Sequence, residues 1–280
     1  MKNKVIIFGI IIVAIIAVVI SVSKNKMPNI IQDTNLQIKS DSSGKIHSSK
    51  IPIEYSFSIQ DSKGNVVKDF AITHTKLMHI IVVRKDLAYF QHVHPEFNKE
   101  TGVFMLKDLT FPNDGVYRIF ADFVPSNTQT PTTISEDTSV GIIENYKPEI
   151  LGSEEKAKIF NDINVSLMTD GNLKSGEESM LMFNLSQNGK PITDLETYLG
   201  ALGHSVILRE ENLDFIHAHP VENINMTQNG NVNFMVDFPE AGKYKIFTQF
   251  QRNGEVFTTD FIVSVSGGVK NSSSMQGMDH

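Results

Sequence analysis

The sequence predicts an all-β protein, with two tandem antiparallel β-sandwich domains after an N-terminal transmembrane helix. Three observations predict this class. Residues 5–22 are uncharged and strongly apolar, one long pattern occurs twice, and short apolar runs alternate with turn residues over most of the chain. The runs are rich in β-branched and aromatic residues, and turn signals return about every 8 to 12 positions, as is typical of sandwiches.

The apolar N-terminal run predicts a membrane anchor over residues 1–23. Its core, residues 5–22, is just long enough to cross ~30 Å of hydrocarbon as a helix. Because the run exceeds a usual signal-peptide core and no clear small-residue cleavage site follows, an uncleaved anchor is favoured over a cleaved signal. The prediction is a single-pass membrane protein with its C-terminal domains outside the cytoplasm, and the alternative is a secreted protein.

A repeat organises the rest of the chain. The segment FPNDGVYRIFADF (Phe111–Phe123) returns as FPEAGKYKIFTQF (Phe238–Phe250), and Gly64 returns as Gly189 in the same register relative to the histidines. Each unit has roughly a hundred residues, which is the size of a domain. The predicted parts are a flexible polar stalk, a first sandwich, a linker, a second sandwich and a disordered Met/His tail, at residues 24–49, 50–146, 147–159, 160–266 and 267–280.

The composition excludes several classes of function. The net charge of −7 argues against nucleic-acid binding, because no basic surface would offset a phosphate backbone. The absence of cysteine excludes disulfides, thiolate zinc sites, iron–sulfur clusters and a mononuclear blue-copper centre.

Histidine carries the strongest functional signal. Six of the nine histidines fall in two copies of one spacing, MHIIVVRKDLAYFQHVHP and GHSVILREENLDFIHAHP. Three imidazoles with an open coordination position suit Cu(II) or Zn(II). The predicted metal ligands are His79, His92 and His94 in the first copy and His204, His217 and His219 in the second.

A hairpin would bring each triplet together. A turn centred between Lys85 and Asp86 places His79 directly opposite His92, with His94 diagonal to His79 on the same face. The second copy repeats this arithmetic, and its histidine face also carries Val206, Leu208, Leu213 and Phe215. That face is therefore expected to be the core face of each sandwich, with one metal site near the end of each domain.

Other readings stay open at this point. The histidines could be core-edge residues bonded to backbone carbonyls, or groups that sense pH. A metalloenzyme with an open coordination position on zinc or copper is disfavoured, because Glu96 and Glu222 are displaced by one residue relative to the repeat and no general base recurs. Asp122 has Gln249 as its counterpart, so it is not a repeated ligand. His74 is expected in a loop and His47 in the stalk. In the tail, Met275, Met278 and His280 form a weak Cu(I)-type signal.

The second copy, YLGALGHSVILREENLDFIHAHP followed by FPEAGKYKIFTQFQRNGEVFTTDFIVSV, resembles a family of exported prokaryotic proteins with tandem H-x12-H-x-H-P β-domains, grouped with YtkA-like and heavy-metal-associated domains. The resemblance runs from Gly64 to Val265. It implies an Ig-like or cupredoxin-like sandwich and a link to copper or other metals, with the same six histidines as ligands. The lack of cysteine departs from true cupredoxins and argues against electron transfer.

The function predicted from the sequence is that of a membrane-anchored, extracytoplasmic metal-binding protein. Two three-histidine sites would hold copper, with zinc as the alternative, for sequestration or for delivery to an unidentified partner protein. The competing prediction is a stalked Ig-like interaction or adhesion module, in which the histidines are structural or sense pH.

Overall fold

The computed structural model describes residues 36–221 and 229–268, which form nineteen β-strands and one short 3-10 turn, Ile143–Asn145. The prediction of an all-β, tandem-repeat protein is confirmed. No helix in these two ranges is long and apolar enough to cross a membrane. The predicted anchor and the Met/His tail lie outside the described residues.

The first repeat contains two sheets. One has the strand order β1-β3-β8-β7, and the other has the order β2-β10-β9-β5-β6 with β4 paired to β9. These strands are β1 Gln37–Ser40, β2 Ile46–His47, β3 Ile53–Gln60, β4 Phe70–Ala71, β5 His79–Arg84, β6 Phe90–Val93, β7 Glu96–Asn98, β8 Val103–Leu109, β9 Gly115–Pro125 and β10 Thr132–Val140.

The stalk predicted for residues 24–49 overlaps the first two of these strands. Gln37–Ser40 pairs antiparallel with β3, and Ile46–His47 pairs in parallel with the end of β10. The first domain therefore begins before residue 50. The polar composition of this stretch misled the prediction, because an edge strand with one exposed face can be as polar as a linker.

The second repeat forms a single nine-stranded sheet that folds over itself, in the order β11-β12-β13-β17-β16-β15-β18-β19 with β14 paired to β13. Its strands are β11 Ala157–Phe160, β12 Ile163–Thr169, β13 Glu178–Gln187, β14 Lys190–Pro191, β15 His204–Arg209, β16 Phe215–Pro220, β17 Asn231–Asp237, β18 Gly242–Arg252 and β19 Glu255–Val265. Strand β16 joins the two halves, because it pairs with β15 and also with β17 at His219 and Pro220.

Local features recur in both repeats. Gly64 and Gly189 have positive φ values of 82° and 72°, a left-handed conformation that explains why glycine is kept at this turn. The hydroxyl groups of Tyr117 and Tyr244 donate to the carbonyls of Asn113 and Glu240, four residues upstream, at 2.8 Å in each case. Each tyrosine ties the start of a long strand to the loop before it.

Each repeat has its own apolar core, and a third cluster of buried apolar side chains lies between the repeats. Strand β5 is buried along its whole length, with Ile80 and Val82 in the first core and Ile81 and Val83 in the third cluster. The third cluster consists of Ile81, Val83, Leu87, Phe120, Leu151, Val206, Leu208, Leu213, Phe215 and Phe247. The repeats therefore pack face to face through β5 and β15.

This cluster corrects the predicted location of the histidine face. Val206, Leu208, Leu213 and Phe215 do not line the sandwich interior, as expected, but pack against the first repeat. Alternation along β15 identified a buried face correctly. It could not distinguish burial within one domain from burial between two, because both environments exclude water.

The contacts between the repeats obey a two-fold relation. Phe90 stacks on Phe247 at a centroid distance of 4.4 Å, and the equivalent pair, Phe215 and Phe120, lies at 5.2 Å. Lys245 donates to the carbonyl of Leu87, and its equivalent, Arg118, donates to the carbonyl of Asn212. His79 and His204, which are themselves equivalent, stack on one another. This is the geometry of an isologous dimer interface, formed here within one chain.

Candidate metal centre

The histidines lie on hairpins whose register differs from the prediction. Ile80 pairs with Val93 and Ile81 pairs with His92, so continuing the ladder by one pair puts His79 opposite His94, not His92. In the second repeat Val206 pairs with His217, which likewise puts His204 opposite His219. The predicted direct pairs are wrong by two residues.

The turn explains the shift. The loop spans residues 85–88, since the amide of Arg84 bonds to the carbonyl of Tyr89, and its third residue, Leu87, has a φ of 61°. In the second hairpin the loop spans residues 210–213, and its fourth residue, Leu213, has a φ of 61°. Leucine rarely adopts the left-handed conformation, so residue types alone do not predict that the turn centre lies one residue further on.

The predicted convergence of the first triplet is nevertheless found. His79 Nδ1 lies 3.0 Å from His92 Nε2 and 3.1 Å from His94 Nε2. All three side chains point to the face of the sheet that meets the second repeat. His79 and His92 are buried, and His94 is partly buried.

The second repeat contributes to the same cluster. The His204 ring stacks on His92 at a centroid distance of 5.0 Å and on His79 at 5.7 Å. Nitrogen atoms of His79, His92 and His204 all lie within 4.8 Å of one another, and all three residues are buried. The structure thus brings together histidines that the sequence assigned to two separate sites. The side chains of His217 and His219 are outside the described part of the structure.

Hydrogen bonds on the outer side of the cluster fix two tautomers. His79 Nε2 lies 3.0 Å from the carbonyl oxygen of Thr73, which can only accept, so this nitrogen carries hydrogen. His92 Nδ1 lies 2.7 Å from Gln249 Oε1, and the amide nitrogen of Gln249 donates to the Thr258 hydroxyl. His92 Nδ1 therefore also carries hydrogen.

These bonds leave two lone pairs facing each other. With neutral rings, His79 Nδ1 and His92 Nε2 are both acceptors, and they stand only 3.0 Å apart. His94 Nε2 lies 3.1 Å from His79 Nδ1 and can donate to it, and a metal ion would take the place of that proton. A histidine that binds metal usually donates its second N–H to a carbonyl or carboxylate, which is the pattern at both rings. Nitrogens around one tetrahedral metal would stand about 3.3 Å apart, so this pair would need to separate only slightly.

His94 completes the first-repeat side of the cluster. Burial holds the pKa of His94 well below its usual range, at about 3, and the nearby charges of His79 and Lys76 act in the same direction. The ring is therefore neutral at physiological pH. A neutral imidazole keeps one lone pair, which is the form that binds metal.

Several contacting residues were missed or discounted at the sequence level. His74, expected in a loop, does lie in a loop, but its ring is 5.3 Å from His204 and 5.8 Å from His79. Asp122 was set aside because its counterpart is Gln249, and Gln249, which was not considered, accepts a hydrogen bond from His92. A correct strand register would have indicated Gln249 and Asp122, because it places Gln249 opposite His204 and Asp122 opposite His79. Asp122 is buried and accepts a 2.7 Å hydrogen bond from Thr133.

Solved structures similar to this chain share little sequence with it. A DUF4426 family protein from Pseudomonas aeruginosa has 13% identity and a TM-score of 0.30, over 40% of this chain and 97% of its own. Three N-terminal domains of the bacteriophage RB49 outer capsid protein Hoc have 12% identity and a TM-score of 0.23, over 84% and 71%. InvD of Yersinia pseudotuberculosis has 10% identity and a TM-score of 0.27, over 87% and 61%.

No curated protein matches the chain at a significant level. A family model does: the model of the domain of unknown function DUF8832 matches residues 33–138 and, a second time, residues 157–267. Both matches contain one complete histidine pattern. Since together they span well over half of the sequence, the chain belongs to the DUF8832 family and carries two copies of its domain.

Proposed function

We propose that this protein binds a divalent metal ion, copper in preference to zinc, in one histidine cluster that its two repeats share. Its role is to sequester the ion or to deliver it to a partner protein, without catalysis. Two features of the sequence, the apolar segment at residues 5–22 and the resemblance to exported YtkA-like and heavy-metal-associated proteins, support a position outside the cytoplasm on a membrane anchor.

One observation supports the proposal most strongly: ring nitrogens of His79, His92 and His204 converge within 4.8 Å of one another in a buried site, and the outer N–H groups of His79 and His92 are already bonded. A cation can bind the inward nitrogens without breaking either outer bond. His204, from the other repeat, supplies a third nitrogen. Three imidazoles suit Cu(II) and Zn(II), and a given nitrogen site generally binds Cu(II) more tightly than Zn(II).

The domains that hold this cluster fit the Ig-like variant of the β-sandwich better than the cupredoxin-like one. The tyrosine hydrogen bonds of Tyr117 and Tyr244 match the tyrosine corner that is common in Ig-like domains. Such a domain offers a rigid surface, and two of them docked face to face can enclose an ion between sheets.

The decisive experiment is a Cu(II) and Zn(II) titration of the full chain with His92→Gln and, separately, His204→Gln. If the cluster is shared, each variant should lose the same tightly bound equivalent of metal, because both repeats supply ligands to one ion. Two independent sites would leave one tight equivalent in each variant. His47→Gln is the matched control, since His47 lies in repeat one and stacks on Phe111 away from the cluster. Unchanged tight binding in both variants would overturn the proposal.

The second candidate is an interaction module whose histidines are structural. The hydrogen bond that His94 Nε2 can donate to His79 Nδ1 favours it, because protons alone can then hold these rings together. This candidate predicts that acid changes the docking of the repeats in the absence of metal. It also predicts that His92→Gln lowers the midpoint of thermal unfolding equally with and without Cu(II).

A further inference from the structure

Four methionines are neighbours on the outer face of the second repeat. Met180 and Met182 are two residues apart on β13, so they share one face. Met182 lies opposite Met168 on β12, and Met180 lies opposite Met235 on β17. Directly opposed side chains have Cβ atoms about 5 Å apart, so the thioethers form one continuous row across three strands.

These methionines do not serve the apolar core. Met168 is 52% exposed, Met180, Met182 and Met235 are partly buried, and none of the four belongs to a buried cluster. An outward-facing position of a half-solvated sheet normally carries a polar side chain. Four thioethers at neighbouring outward positions therefore call for an explanation other than packing within this chain.

Asn233 is a buried polar neighbour of these methionines. It lies on β17 opposite Met182, and its Nδ2 donates to Met180 Sδ at 3.6 Å. Asn233 is only 7% exposed, yet its Oδ1 accepts no hydrogen bond from the part of the chain that the structure describes. A buried amide oxygen without a partner costs free energy, and a bound cation would satisfy it.

The charges at the edge of the methionine row also favour a cation. Glu178 and Asp237 occupy the next outward position along β13 and β17, directly opposite each other, and both are exposed. Like charges at directly opposed positions destabilise a sheet. A positive ion bound beside Met180 and Met235 would offset this repulsion.

We propose that Met180, Met182 and Met235 form a binding site for a soft monovalent metal cation, Cu(I) or Ag(I), with Asn233 Oδ1 as an additional oxygen ligand. Thioether sulfur is a soft, neutral ligand that selects Cu(I) over hard divalent ions. Methionine is unbranched and flexible, so three side chains can converge from neighbouring strands. The site is separate from the histidine cluster in its ligand type and in the charge of its ion, and it does not depend on metal binding there.

The test measures the NMR signals of the methyl groups bonded to the thioether sulfurs. The full chain is labelled with 13C at the methionine methyl groups and titrated with Ag(I), which needs no reducing agent. The methyl resonances of Met180, Met182 and Met235 are expected to shift together and to saturate at one equivalent. Met105, on the outer face of the corresponding sheet of repeat one, is expected to stay unshifted, and Zn(II) is expected to move none of the three.

A variant sharpens the result. Replacing Met180, Met182 and Met235 with leucine nearly conserves volume, so it should leave the midpoint of thermal unfolding close to that of the parent. It should abolish the Ag(I) equivalent seen by calorimetry, whereas Met105→Leu should retain it. The proposal is wrong if the three methyl groups do not move, or if they move only above equimolar Ag(I) together with Met105. Should the triple variant fail to fold, the methyl titration of the parent protein decides alone.

Discussion

In repeat one, the outer face of β8 carries one methionine, Met105, and Lys107, which forms an ion pair with Glu96 on β7. The corresponding sheet of repeat two carries four methionines at neighbouring outward positions. Where the repeats face each other, by contrast, the same residue types stand at equivalent positions: His79 and His204, Phe90 and Phe215. The contrast teaches that the shared interface restrained divergence. The outer faces, which have no such restraint, took on different chemistry.

The largest effect is expected from the interface aromatics. Phe120 and Phe247 occupy equivalent positions, and both are buried. Replacing either of them with alanine should lower the free energy of unfolding by about 3–5 kcal/mol. The two losses should agree within about 1 kcal/mol if the two-fold relation governs packing. Denaturant unfolding measures both, and Phe160→Ala, at a half-exposed outer position, is the control with a small loss. A large difference between the two variants would break the equivalence of the repeats.

The next effect concerns an equivalent position that differs at the cluster, Gln249 against Asp122. Gln249→Leu removes the acceptor for His92 Nδ1–H, so the tautomer and the ring orientation are no longer fixed. We expect Cu(II) affinity to fall about 10–100-fold, as is usual when such an outer partner is lost. Competitive titration measures this, with Gln251→Leu, two residues further along β18, as the control. Equal affinities in the two variants would show that Gln249 does not orient a ligand.

A smaller effect is expected from the cations that cross the interface. Arg118→Met and Lys245→Met each remove a hydrogen bond to a carbonyl of the other repeat. Each also removes an ion pair within its own repeat, to Asp137 and to Asp260 respectively. Each should lower the free energy of unfolding by about 1 kcal/mol, measured by denaturant unfolding. The double variant should show an additive loss, because the two bonds share no partner. Strong non-additivity would mean that the two ends of the interface are coupled.

The smallest effect near neutral pH comes from His94 in the metal-free protein. Its pKa is about 3 in the folded state, against 6.5 ordinarily, so the unfolded chain binds more protons between these values. Stability from this residue is therefore complete above pH 6.5 and is lost as the pH falls towards 3. Thermal unfolding between pH 8 and pH 5 should show the decline, and His94→Asn should reduce its slope. An unchanged slope would assign the pH dependence to other groups.

Much of the fold could be predicted from the sequence, because its signals are local. The turn glycines Gly64 and Gly189 and the repeated FPxxG segments identified two all-β units. The hairpin register could not be predicted, since it depends on Leu87 and Leu213 in a conformation that leucine rarely adopts. The shared cluster could not be predicted either. The alternation that buries Val206 and Leu208 is the same whether the buried face meets its own sandwich or another domain.

The stacking of His79 on His204 across the two-fold axis has a consequence for assembly. A single copy of this domain would have to find a second molecule to build the same interface, so occupancy of the joint site would fall on dilution. In a tandem chain the linker makes that encounter intramolecular, and each repeat meets the other at an effective concentration of the order of millimolar. Fusion also allows the two repeats to differ in sequence, so that one can carry aspartate at position 122 and the other glutamine at position 249. A symmetric dimer of identical chains could not make that distinction.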